Sequence, residues 1–140
     1  MNRKEIIDFM NANPIFHLAT VDGDKPHVRG MLLYRADENG IVFNTGKVKD
    51  LYRQLTVNPN VEMAFSNNIF ENLIQVRVTG RVEAVEDLDL KKEIVQKREF
   101  LKPWVDQVGY DSLLVYVVKK GVATVWTMAT NTAPKEYIEL

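Results

Sequence analysis

The run Thr45-Gly46-Lys47-Val48-Lys49 stands between a short apolar segment and one with helical spacing. A helix N-terminus carries about half a positive charge and several unpaired N–H groups. Lysines in a first turn are therefore unfavourable, by roughly 0.3–1 kcal/mol each, unless an anion sits among them. A phosphate would reverse that sign, taking bonds from backbone N–H groups, the Thr45 hydroxyl and a lysine ammonium. Two solvated lysines, partly offset by Asp50, would satisfy the same residues.

Arg29 lies within His27-Val28-Arg29-Gly30-Met31-Leu32-Leu33-Tyr34 and shares a face with Met31 and Leu33. Either that face opens at a ligand site or the guanidinium is paired inside. Gly30 beside it would let another group approach the backbone closely. The Gln75 amide both donates and accepts, which suits the edge of a heterocycle as well as it suits water. His27, Tyr34 and Tyr52 are candidate acids or bases without a spacing that marks them, and His17 is expected inside a barrel. Trp104 and Trp126 could stack on a ring or pack in a core. No serine occupies a nucleophile elbow, so no hydrolytic triad is assigned.

These residues need elements to hold them. Asn2 to Asn13 is predicted to be a helix, with Glu5 at capping-box spacing from Asn2 and Pro14 as its stop. Alternation then predicts strands at Ile15–Val21, His27–Arg35 and Ile41–Thr45, with turns at Asp22–Pro26 and Asp37–Gly40. Helical spacing returns over Lys47–Val57, through Val48, Leu51, Tyr52 and Leu55. Strands follow at Val61–Ser66 and Ile74–Glu83. In the latter, Ile74, Val76, Val78 and Val82 face one way while Gln75, Arg77 and Thr79 face the other. An amphipathic helix is expected over Asp87–Leu101, ended by Pro103. Leu113–Val118 and Val122–Met128 read as a closing hairpin around Lys119-Lys120-Gly121, and the last dozen residues as a tail. Strands joined by tight turns argue antiparallel pairing, and six or seven of them suggest a closed barrel. The order is not βαβ, and no G-x-G-x-x-G occurs.

Composition narrows the classes. The 140 residues suit one domain over 1–140. With no cysteine, disulfides and thiolate chemistry are excluded, and two histidines are few for a metal site, so none is assigned. A net charge of -1 without a basic run gives no support for nucleic-acid binding. No apolar run reaches the roughly 18 residues of a membrane span, and no signal-peptide core precedes Pro14, so the expected location is cytoplasmic.

The pieces also occur in a familiar order. Phe16-His-Leu-Ala-Thr-Val-Asp-Gly-Asp-Lys-Pro-His-Val-Arg-Gly-Met31 resembles the opening strands of the pyridoxamine 5'-phosphate oxidase-like, FMN-binding split-barrel family. Gly40-Ile-Val-Phe-Asn-Thr45, Lys49-Asp-Leu and Asn58-Pro-Asn-Val61 look like its third strand and phosphate-side helix, and Ile74 to Glu83 like its long central strand. The resemblance implies a mainly β chain with flanking helices, a six- to seven-stranded antiparallel split β-barrel, and a homodimer with FMN at the subunit interface. It implies that Arg29 and Lys49 bind the phosphate, with Lys47 in support where the family often has adjacent basic residues. Gly30 and Met31 would line the ring through their backbone, Asn44 and Thr45 would border the ribityl phosphate, and Gln75 would reach the partner's flavin. The C-terminal Asn131–Leu140 lacks the arginine of the substrate motif of true pyridoxamine phosphate oxidases, so vitamin B6 oxidation is not expected. The ending looks more like that of short members related to nitroimidazole-resistance proteins. The expected function is FMN-dependent electron transfer from a small-molecule donor to a small-molecule acceptor, with no catalytic residue named. The alternatives are a flavin-binding or redox-sensing module without turnover, or a haem- or deazaflavin-binding relative on the same barrel.

Overall fold

The computed structural model describes all 140 residues. The first helix, α1 (Arg3–Ala12), is fixed by its capping box: the Asn2 side chain accepts from the Glu5 N–H at 2.9 Å and the Glu5 carboxylate accepts from the Asn2 N–H at 2.7 Å. It buries Ile6 and Met10 against the sheet. Strands β1 (Ile15–Asp22) and β2 (Lys25–Asp37) form a hairpin through a turn in which Gly23 takes a φ of +64°. The turn into β3 (Gly40–Gly46) has a stricter demand. Gly40 sits at φ +134°, and a Cβ there would lie 2.6 Å from the Val118 carbonyl oxygen. After β3 come α2 (Asp50–Val57), β4 (Asn60–Ser66), β5 (Ile74–Arg81) and the two-residue β6 (Glu83–Ala84). The chain ends with α3 (Leu88–Lys97), α4 (Lys102–Val108), β7 (Leu113–Val118), β8 (Val122–Thr127) and a two-residue β9 (Ile138–Glu139).

All strand pairs are antiparallel, in the order β6-β7-β3-β2-β1-β4-β5-β8-β9. Seven of the nine strands are six residues or longer, which gives the expected curled barrel with flanking helices. Its concave side holds one core. Phe16 stacks on Phe65 with ring centroids 4.8 Å apart and meets Phe43 edge-on at 6.0 Å, and Phe43 stacks on Tyr116 at 5.8 Å. A smaller cluster of Val42, Ile94, Val115 and Val117 seats α3 on the other face of β3 and β7. Those two strands are thus buried on both faces, which is why their apolar residues run consecutively rather than alternating.

Five expectations are corrected. Leu113–Val118 and Val122–Thr127 do not pair: β7 lies between β3 and β6, while β8 pairs with β5 and β9. The Lys119–Gly121 link crosses from one end of the sheet to the other. It passes so close to β5 that a Cβ on Gly80 would lie 2.5 Å from Val118 Cγ1, and one on Gly121 2.6 Å from Val78 Cγ1. A β7 buried on both faces finds a better partner in the equally buried β3 than in half-exposed β8. The second helix begins at Asp50, not Lys47, and Lys49 is its extended N-cap residue. The expected helix over Asp87–Leu101 breaks after Lys97, and Pro103 opens α4 instead of ending a helix, its missing N–H costing nothing in a first turn. The tail adds β9. His17 is exposed rather than inside the barrel, because Phe16, Leu18 and Thr20 take the inward positions of β1.

No helix is long and apolar enough to cross a membrane.

Candidate functional site

A cleft of about 430 Å³ opens where β2, the end of β3 and the α3–α4 link meet. Gly30 and Met31 supply one wall, Asn44, Thr45 and Gly46 the floor, Val48 and Lys49 the approach to α2, and Arg98, Phe100 and Trp104 the far side. Gly46 matters for fit: a Cβ there would touch the Trp104 ring at 3.2 Å. A Cβ on Gly30 would meet nothing within 4 Å, so its backbone faces open space.

The polar groups of the cleft are incompletely matched. The Thr45 hydroxyl is buried and has no hydrogen-bond partner, an arrangement that costs about 1–3 kcal/mol where nothing else fills the valence. Behind Gly30, the half-buried Arg29 donates to the Leu18 carbonyl at 3.2 Å, to Thr20 Oγ1 at 2.8 Å and to Gln54 Oε1 at 2.5 Å. All three acceptors are neutral. Across the cleft, Arg98 donates to Asn44 Oδ1 at 2.9 Å and to the Leu33 carbonyl at 2.6 Å, where the β2–β3 register slips between Leu33 and Arg35. Neither arginine belongs to an ion pair. Burial lowers the pKa of both; Asp50 opposes this at Arg29, and Tyr34 opposes it at Arg98. Two half-buried guanidiniums held only by neutral groups leave the region electropositive. Charge in that setting is stabilised by an anion.

The expected residues are partly assembled here. Gly30, Met31, Asn44, Thr45 and Lys49 line the one cleft, and Arg29 stands one residue behind it on the inward face of β2. Lys47 does not join them. It lines a separate cleft with Tyr52 and Tyr116. Gln75 also lies elsewhere, exposed on the convex face of the sheet opposite Ser66 and Trp126, in a hollow shared with Arg77 and Asn131. Trp126 there donates to Asn131 Oδ1 at 2.8 Å. His27 is exposed near the start of β2. Tyr34 donates to Glu93, and its ring has the cations of Arg35, Lys97 and Arg98 within 5.3–5.8 Å of its centroid. Burial, then the bond to Glu93, push its pKa up to about 12.

Sequence reasoning did not find Arg98. It sits among Lys97 and Glu99 like any solvated helix residue, and only the break after Lys97 turns it inward. The place of Trp104 over Gly46 has no signal in the sequence.

A nine-stranded antiparallel sheet curled into a half-barrel with flanking helices places the chain among split-barrel proteins. This chain belongs to the pyridoxamine 5'-phosphate oxidase family, whose profile matches residues 3–129. A curated relative, the pyridoxine/pyridoxamine 5'-phosphate oxidase of Pseudomonas putida, is 45% identical over 69 residues, which is 49% of this chain and 31% of that protein. The match thus spans less than a third of the relative's length. Among solved structures, a NimC/NimA family protein from Clostridium acetobutylicum superposes with a TM-score of 0.76 at 24% identity, covering 98% of this chain and 91% of that one. An FAD-binding protein from Mesorhizobium loti gives a TM-score of 0.67 at 16% identity, covering 89% and 94%. These likenesses establish the fold.

Proposed function

We propose that this protein binds FMN in the cleft between β2, β3 and α4, as a homodimer, and works as an FMN-dependent oxidoreductase on small molecules. The observation that carries the reading is the pair of half-buried arginines, Arg29 and Arg98, matched only to neutral acceptors beside an unpartnered Thr45 hydroxyl. A phosphorylated flavin offers what these groups lack. Membership of a family named for a flavin-dependent oxidase, and the fold shared with an FAD-binding protein, are in keeping with a flavin; the choice of FMN rests on the cleft's cations.

The division of labour follows from chemistry. Arg29 and Lys49 hold the phosphate, with the Thr45 hydroxyl donating to it. Gly30 and Met31 present backbone to the ring, while Phe100 and Trp104 keep water from its far side. A bound flavin supplies hydride exchange at its N5 position, and the protein's part is anchoring, orientation and electrostatic tuning. The convex face supports the dimer: Ile15 and Val28 are each 68% exposed, Leu32 is exposed beside Ile15, and Gln75 lies on the same side of the sheet. Exposed apolar side chains sharing one face of a sheet mark an interaction surface.

The test is direct. Purified protein should carry or take up a yellow flavin that denaturation releases as FMN, with a thermal shift on FMN addition. If FMN at high micromolar concentration changes neither flavin fluorescence nor melting temperature, the reading is lost. Reduction by NADH or NADPH with a panel of acceptors, nitro compounds included, then separates an oxidoreductase from a flavin-binding module without turnover.

A further inference from the structure

The cleft that takes Lys47 shares no lining residue with the one proposed for flavin. It encloses about 520 Å³ between α2, β6, the first turn of α3 and β7. Its lining includes Lys91, a lysine only 4% exposed. The Lys91 ammonium donates to the Tyr110 carbonyl at 3.2 Å, and its only carboxylate contact is Glu86 at 3.7 Å, whose own side chain is 79% exposed. An ammonium has three donors, so two remain without a close acceptor. Buried charge left in that state is costly unless a partner completes it.

The rest of the lining suits a particular partner. Tyr116 is buried as a residue, but its hydroxyl makes no bond within the chain and reaches the solvent of the cleft. Burial, then the nearness of Tyr52 and Glu86, raise its pKa to about 12, so it keeps its proton and donates. Lys47 adds a second ammonium without an ion-pair partner. Beyond these donors the wall is apolar, built from the Tyr52 ring, Leu55, Leu114 and Val115. The rim carries Glu86 and Asp111, which would repel a second negative charge.

We propose that this cleft binds a small hydrophobic monocarboxylate, the carboxylate held by Lys91, Lys47 and the Tyr116 hydroxyl and the apolar part laid against Tyr52 and Leu114. The site does not depend on the flavin reading, because none of its residues belongs to that cleft.

Benzoate is a suitable probe, with neutral benzamide and dianionic isophthalate as controls. Calorimetric titration should show saturable binding at one site per chain, with benzamide and isophthalate each weaker by about tenfold or more, the loss expected for one charge-assisted contact. Tyr116→Phe keeps the ring and the packing, and should weaken benzoate several-fold while circular dichroism and melting stay near wild type. Lys47→Met should do the same from the solvent side, and Lys91→Met should abolish binding. Saturating FMN should leave benzoate affinity unchanged. The proposal is overturned if benzoate fails to saturate at tens of millimolar, if benzamide binds as tightly, if FMN displaces benzoate, or if folded Tyr116→Phe and Lys47→Met proteins both keep the wild-type affinity.

Discussion

The cleft at the end of β3 and the convex hollow around Gln75 differ in how far one chain completes them. In the cleft, β2, β3 and the α3–α4 link converge, and its arginines are already oriented by Thr20, Gln54, Asn44 and the Leu33 carbonyl. Around Gln75 the same sheet turns its other face outward, and only the segment from Thr130 to Glu136 and Met1 wall the hollow beside it. A single chain can pre-organise charge where three elements meet, because each supplies acceptors that lock the rotamers. A one-layer face cannot enclose a ligand unless something covers it.

The sharpest way to separate the two regions is the ratio of FMN to riboflavin affinity. Arg29→Ala and Lys49→Ala should each lower that ratio by about ten- to a hundredfold, the worth of a charge-assisted phosphate contact. Gln75→Ala should weaken both ligands alike, and Lys119→Ala neither. If the arginine and lysine variants keep the wild-type ratio, the phosphate does not lie at the end of β3. A charge placed on the convex face comes next. Val28→Asp should raise the dimer dissociation constant by about tenfold or more, since an unpaired carboxylate would be buried in the interface. Sedimentation reads this, and a Val28→Asp protein that stays dimeric removes the convex face as the contact. A monomeric variant that keeps full FMN affinity would show instead that the cleft needs no second copy.

A smaller effect is expected inside the cleft. Thr45→Val removes the buried hydroxyl that has no partner, so the flavin-free protein should become more stable by about 1 kcal/mol while FMN binds several-fold more weakly. Chemical denaturation with and without FMN measures both signs. A destabilised flavin-free Thr45→Val protein would mean that the hydroxyl is satisfied in solution. The last effect is confined to alkaline pH. Folding raises the pKa of Tyr34 from an ordinary 10.0 to about 12, so the folded state holds this proton more tightly than the unfolded one. The stability this confers is complete below about pH 10 and is lost as pH rises through about 12. Tyr34→Phe should therefore flatten the alkaline limb of a melting curve in that range, and an unaltered slope would show that Tyr34 titrates as in the unfolded chain.

Much of the scaffold was legible because its signals are local. The capping box of α1, the alternation of β1 and β5 and the glycine turn before β3 each depend on neighbours within a few residues. The crossing of Lys119–Gly121 was not legible, since β7 chooses β3 by burial on both faces, a property of the assembled sheet. The site divides the same way. Gly30, Met31, Asn44, Thr45 and Lys49 came from segments whose order could be recognised. Lys47 could not be separated from Lys49 without knowing that α2 starts at Asp50, which sends the two side chains to different clefts. Arg98 depends on where one helix breaks and on a register slip in another element.

The pairing of β3 with β7 also sets a schedule for the nascent chain. Strand β3 has β2 at one edge as soon as the second hairpin forms, but its other edge waits until three further helices have been made. At roughly 5–20 residues per second that interval is several seconds. Through it an apolar strand with open N–H and C=O groups stands ready to pair with another chain. Strand β5 waits likewise for β8. Chains stalled short of Val118 are thus expected to be protease-sensitive and chaperone-bound, and chains released past Thr127 to become resistant in one step.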